Sequence, residues 1–166
     1  GSEMCIRDRL IQVYAAGVNG ADLKERQGKY PLPHGAPDIM GLEVSGKIVD
    51  TGYRCKRFKP GDEVCALLIG GGYAEYAVAP EEQCMPVPEN VDIIEAAGIP
   101  EVFCTVWANM IDRCALKAGE TILIQGGTSG IGYAGIKLAK AFGATVFATA
   151  RTAEKCSAIS RFGADY

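Results

Sequence analysis

Imidazole is almost missing from this sequence. His34 is its one histidine, which excludes metal sites built on several imidazoles and any HExxH helix, and leaves a Ser/His/Asp triad a single candidate. That residue lies in Pro-Leu-Pro-His-Gly-Ala-Pro, a run of turn formers, and reads as loop surface. Paired cysteines are missing too. Cys5, Cys55, Cys65, Cys84, Cys104, Cys114 and Cys156 make seven, an odd number with no CxxC pair, so neither a zinc knuckle nor a disulfide framework is legible. The thiols read as buried or idle in a reducing compartment, and the expected location is cytoplasmic. No block of like charge occurs. With 17 Lys and Arg against 20 Asp and Glu the net charge is −3, which removes the electrostatic footprint that nucleic acid or an anionic membrane requires. The longest uncharged stretch, Thr121 to Ile136, is too short for a bilayer and is broken by Gly, Gln, Thr and Ser.

What is present is core-forming material and glycine. Apolar residues make up 48% of the 166, enough to bury a real core. The 21 glycines follow no collagen period and point to tight turns and close backbone approaches. Residues 1–9 lack the apolar core of a signal peptide and read as a non-native leader. From Leu10, LIQVYAAGVN reads as a strand, 21–27 as a short helix stopped by Gly28, and 41–52, 63–70 and 72–80 as further strands, the second launched by Pro60-Gly61-Asp62. Short strands at this spacing predict a small β-barrel or sandwich over 10–100. After Pro88 the period changes. Residues 92–99 and 100–116 carry apolar side chains at helical spacing, with Pro100 placed to open a helix. A short apolar strand at 121–127, a helix at 129–143 and a second strand at 144–150 make a βαβ unit, so the second region, 101–166, is α/β with a parallel sheet.

The turn inside that unit carries the chemistry. In TILIQGGTSGIGYAG, Gly127, Gly130 and Gly132 stand between strand and helix, where glycine lets backbone amides approach a pyrophosphate and the helix N-terminus offers unpaired N–H groups and a positive dipole end. The order is GxxGxG rather than GxGxxG. Its placement between an apolar strand and a helix makes it a dinucleotide loop, with Thr128, Ser129 and Ile131 as further contacts. The second strand ends in Thr149-Ala150-Arg151-Thr152, with Lys155 close behind, where a protein selecting NAD carries Asp or Glu. Arg151 can grip a 2′-phosphate with paired donors, and Thr152 and Lys155 can add a hydroxyl and a charge. At about 1.5 to 3 kcal/mol for a charged hydrogen bond, the expected cofactor is NADPH. Tyr133 and Lys137 form YxxxK, the catalytic pair of short-chain dehydrogenases. Both lie on the helix directly after the loop, the wrong place for that role, and read as helix surface.

Taken together, AAGVNGADLKERQGKYPLP, GLEVSGKIV, KPGDEVCALLIGGGYAEY, AAGIPEVFCTVW and QGGTSGIGYAGIKLAK resemble the zinc-independent quinone oxidoreductase branch of the medium-chain dehydrogenase/reductase superfamily, and within it the NADPH:quinone oxidoreductases of the p53-inducible type. The resemblance implies a GroES-like β-barrel followed by the first βαβ of a Rossmann domain. It implies no metal: Asn19 stands where the zinc alcohol dehydrogenases carry a catalytic Cys, and Gly41-Leu42-Glu43 where their GHE supplies a His. A quinone accepts hydride readily and needs mainly positioning. Asn19, Tyr30 and Thr105 match family positions around nicotinamide and quinone, with Tyr30 expected to contact the acceptor oxygen as charge develops there. Asp22 and Glu43 are expected to brace the cleft, and Gly70, Gly71 and Gly72 to let the chain pass close to the cofactor. Family members are about twice as long and homodimeric, so the expectation is a fragment that alone binds NADPH poorly and turns over little quinone. Two alternatives stay open: reduction of an enone C=C bond, and a crystallin-like protein that binds NADPH without turnover.

Overall fold

Alternation of side chains builds the first sheet. In β1 (Asp8–Ala16) Arg9 and Ile11 are buried while Gln12 and Tyr14 face solvent, and in β4 (Tyr76–Pro80) Ala77 and Ala79 point inward between exposed neighbours, the period of a half-buried strand. The computed structural model describes residues 8–31 and 33–166. With β2 (Glu43–Thr51), β3 (Glu63–Leu67) and β5 (Cys84–Pro86), these strands form one five-stranded antiparallel sheet in the order β4-β1-β2-β3-β5. Register shifts in β1 between Leu10 and Ile11 and between Val13 and Ala15 are the irregularities that bend such a sheet toward a barrel. Ile11, Val44, Ile48, Val64, Ala66 and Leu68 are central to its core. Helix α1 (Gly20–Arg26) leaves the end of β1, and Gly28 stands beyond its C-terminus at φ +68°, a conformation that glycine adopts freely.

The chain divides into two compact units between Glu101 and Val102, inside helix α2 (Pro100–Trp107). In the second unit β6 (Thr121–Ile124) pairs in parallel with β7 (Thr145–Ala148), and α3 (Gly130–Ala141) and α4 (Ala153–Phe162) complete it. Val106, Met110, Ala134, Ile136, Ala139, Val146 and Ile159 are buried together. The main chain of Tyr166 bonds to Val146 and Ala148, running beside β7.

Several expectations need correction. The leader assigned to 1–9 is too long: residues 1–7 lie outside the described residues, but Asp8 and Arg9 belong to β1 and Arg9 is fully buried. Strand 72–80 begins only at Tyr76, because Gly72 and Tyr73 bond to Gly41 and Met40 and hold the chain in a loop. The helix expected over 92–99 is a 3-10 turn at Glu95–Gly98, and that over 100–116 changes to a π-helix at Ala108–Arg113. Strand β6 is half-buried rather than enclosed, Leu123 being 60% exposed, since β7 is its one hydrogen-bonded neighbour among the described residues.

A buried ion pair pins the first sheet. The Arg9 guanidinium donates to Glu81 Oε1 at 2.5 Å, and the same oxygen accepts the Lys56 amide at 2.8 Å and the Arg57 amide. Strand β1, the turn before β5 and the loop after β2 therefore meet on one carboxylate. The Arg57 amide holds the Glu81 carboxyl below the usual range, the Lys56 amide and the Arg9 charge add to it, and burial opposes them without prevailing. A carboxyl depressed on folding stabilises above its unfolded pKa and loses that contribution as pH falls through the folded value. In urea titrations Glu81→Gln is expected to lower the midpoint at neutral pH and to flatten the acid-side decline seen in the wild type.

Candidate functional site

The turn between β1 and α1 is built on Asn19 and Asp22. Asn19 is the N-cap of α1, with extended backbone, and forms a capping box with Asp22; the Asn19 amide donates to Asp22 Oδ2 at 2.7 Å. This reciprocal arrangement satisfies donors that a helix start leaves open. Glu43, the first residue of β2, takes the Asn19 side chain from the other direction: Asn19 Nδ2 donates to Glu43 Oε1 at 2.8 Å. Its second oxygen, Oε2, accepts the Glu101 amide at 2.8 Å, in the first turn of α2, where a carboxylate complements the helix dipole. Glu43 and Asp22 are each 2% exposed.

The space for that carboxylate comes from Gly17, where a Cβ would overlap Oε1, Cδ and Cγ of Glu43. Burial raises the Glu43 pKa above its ordinary value against the opposing bonds from Glu101 and Asn19, and the charge of Asp22 adds to the rise. Burial likewise lifts Glu101, with the charges of Glu43 and Asp22 contributing. Charge is held here at a cost, and the two donors on Glu43 offset part of it. Among the described residues no group of three or more His, Cys, Asp and Glu side chains is arranged to hold a metal ion.

The three residues expected around the reaction are placed differently. Asn19 is inside this network. Tyr30 is 38% exposed, in the loop after α1. Thr105 lies in α2 within the second unit and lines an apolar cavity with Ile122, Ile124 and Ile131; its carbonyl accepts the Asn109 side chain at 2.8 Å. Tyr133 packs edge-on against Phe162 with ring centroids 5.0 Å apart, and Lys137 lies over the Tyr133 ring.

In the second unit the turn between β6 and α3 is closed by Ser129, which caps the helix. Its Oγ donates to the Gly126 carbonyl at 2.9 Å and accepts the Gly132 amide at 3.0 Å. Gly126 and Gly127 donate to the hydroxyl and carbonyl of Thr149, tying the turn to the end of β7. These contacts leave the Gly130 and Ile131 amides at the helix opening, and among the described residues no acceptor takes them up. A cavity of about 400 Å³ opens beside the turn, lined by Gly126, Thr128, Ser129, Thr149, Ala150, Arg151 and Lys155. Four of the expected cofactor residues therefore border it: Thr128, Ser129, Arg151 and Lys155.

Gly127, Gly130, Ile131, Gly132 and Thr152 are not among its lining residues. Cβ atoms at Gly127 and Gly132 would strike Ile159 and the Gly126–Gly127 backbone, so these glycines make the turn compact, and the Thr152 hydroxyl caps α4 by accepting the Lys155 amide. Sequence reasoning missed Gly126, Thr149 and Ala150. The doubled glycine after β6 was the available signal for the first of them, which takes φ +70°.

Comparison with known proteins bears on both units. The alcohol dehydrogenase GroES-like domain matches residues 6–89. A quinone oxidoreductase of Sus scrofa is 35% identical over 156 residues, covering 93% of this chain and 47% of its own; the chain spans about half the length of the curated relatives it matches. Among solved structures, a quinone oxidoreductase of Pseudomonas syringae aligns with a TM-score of 0.82 and 30% identity over 96% of this chain and 49% of its own. That of Thermus thermophilus, also determined with NADPH, gives 0.79 and 31% over 96% and 50%.

Gly17→Ala tests the carboxylate network, because its Cβ and the Glu43 side chain cannot share the space. Displacing Glu43 is expected to cost about 1 to 3 kcal/mol in denaturant titrations, the range for leaving buried polar groups unpaired, and to shift the Asn19 carboxamide resonances.

Proposed function

Because the chain belongs to the quinone oxidoreductase branch of the medium-chain dehydrogenase/reductase superfamily, we propose that it serves NADPH-dependent reduction of quinones without a metal ion. The observation that carries the cofactor assignment is the cavity at the end of β7, where Arg151 and Lys155 supply positive charge and Ala150 offers no carboxylate. A 2′-phosphate meets two cations there and no repelling oxygen, and the diphosphate meets the open Gly130 and Ile131 amides at the start of α3. Gly127, Gly132 and Thr152 act behind that surface, keeping the turn tight and α4 capped.

NADPH supplies the hydride; the chain's own residues bind and orient. Asn19, fixed by Glu43 and Asp22, presents a preset polar group. Tyr30, exposed on its loop, is the hydroxyl available to donate to the acceptor oxygen as it gains charge. Thr105 completes the expected set. A quinone needs no Lewis acid to take up hydride, which agrees with Asn19 standing where the zinc enzymes carry a cysteine. The acceptor is a small molecule, and the assembled enzyme is a cytoplasmic homodimer with neither nucleic-acid nor membrane partners. With β7 as the one strand paired to β6 among the described residues, the chain by itself is expected to bind NADPH weakly and to turn over little quinone, so turnover is assayed in an enzyme of the relatives' full length.

Two measurements test this reading. Arg151→Ala should weaken NADPH binding by about 10- to 100-fold, the worth of a charged hydrogen bond, and change NADH binding little; equal losses would remove the 2′-phosphate assignment. In full-length enzyme Tyr30→Phe is expected to lower kcat with a quinone by about 100-fold, as for loss of one oxyanion donor. Faster consumption of NADPH with an enone than with a quinone would move the substrate class to activated C=C bonds. NADPH binding with no oxidation by either acceptor would leave a cofactor-binding protein.

A further inference from the structure

The loop Gly70–Tyr73 is stitched to the segment ahead of β2 and not to any element of its own. Gly71, Gly72 and Tyr73 donate their amides to the carbonyls of Ile39, Gly41 and Met40 at 2.6, 3.0 and 2.9 Å. The two backbones cross so tightly that a Cβ at Gly41 would lie 2.7 Å from the Tyr73 nitrogen. The close passage that these glycines allow is therefore to the chain's own backbone, two residues before Glu43. Tyr73 emerges from this crossing with its ring 38% exposed and its hydroxyl 3.3 Å from the Gly17 carbonyl. Asp22, the carboxylate that holds the Asn19 amide, lies near enough for its charge to act on that hydroxyl.

We propose that Tyr73 is a positioning residue for Asn19, closing a ring of contacts that runs from the glycine loop through the Gly17 carbonyl to Glu43, which accepts both the Gly17 amide and the Asn19 carboxamide, and back along the chain to Gly41. The ring has a direction. Glu43 and Asp22 hold Asn19 by its side chain and its amide, and Tyr73 holds Gly17 from the loop, so the turn cannot rock about the end of β1 without breaking a bond. A phenol has one hydrogen, and here it goes to the Gly17 carbonyl. The same surroundings keep that hydrogen in place. Burial and the neighbouring carboxylates of Asp22, Glu43 and Glu25 push the Tyr73 pKa up to about 12, so the hydroxyl remains a donor throughout the neutral range. The functional meaning of the ring rests on the reading of Asn19 as a group at the reaction centre, and its existence does not.

Tyr73→Phe keeps the ring and removes the oxygen. By hydrogen exchange, the Asn19 main-chain amide of the variant is expected to exchange at least about fivefold faster, the factor equivalent to one net hydrogen bond, with a shift of the Asn19 carboxamide resonances. The Ile48 amide, bonded to Asp62 in the sheet, should keep its rate. Tyr73→Leu, which removes the ring too, should show the same local acceleration at Asn19. Wild-type exchange at Asn19 in both variants would overturn the proposal, and so would a uniform acceleration across the sheet, which would make Tyr73 a general stabiliser. These readouts need neither NADPH nor quinone. An intact tether in a full-length enzyme that oxidises no NADPH would therefore defeat the redox reading alone.

Discussion

One carboxylate decides the geometry of the first unit's polar centre. Glu43 is enclosed by protein, yet each of its oxygens has a donor at 2.8 Å: the Asn19 carboxamide and the amide that opens α2. An ion deprived of water is tolerable when its lone pairs are met, and costly when either partner leaves. The side chains that surround it are thereby constrained in turn. Asn19 must direct Nδ2 toward Glu43, because an ionised carboxylate can only accept. Gly17 must lack a side chain, because the carboxylate occupies the volume. Pro100, which has no N–H to satisfy, is well placed at the helix start beside it.

The second unit solves a different problem with the same means. A sharp turn from strand to helix leaves donors exposed, and Ser129 absorbs one of them with its own hydroxyl while bonding back to Gly126. Thr149 anchors the turn from the neighbouring strand. What is left open, the Gly130 and Ile131 amides among it, adjoins a basic rim and a cavity of about 400 Å³. Rigidity and vacancy are produced together, since the glycines whose missing side chains compact the turn also keep its outer surface bare.

Much of this was legible in the sequence wherever the cause is local. Alternating strands, the Pro60-Gly61-Asp62 turn, the glycine stop after α1 and the βαβ pattern all follow from neighbours within a few residues, and the structure has each of them within a small shift of its expected bounds. Contacts between distant residues were not legible. Arg9 was set aside as leader because its reason for being in the fold, Glu81, is 72 residues away, and the second donor on Glu43 is 58 residues away. Helix α4 was not anticipated: Ala153–Phe162 is mostly exposed and buries only Ile159, so its apolar stripe is too thin to announce a period. The loop at 72–75 was read as strand since its residues alternate, whereas backbone bonds to Met40 and Gly41 had already claimed the donors a strand would need.

The polar centre of the first unit is defined by the sign of its charges. Around Asn19 the groups are acidic, Asp22 and Glu43 buried and Glu101 partly so, with Glu43 and Glu101 pushed toward protonation; such surroundings disfavour a further negative charge. The burial that makes the carboxylates expensive is consistent with their work in the fold: they are held where they can hold other groups.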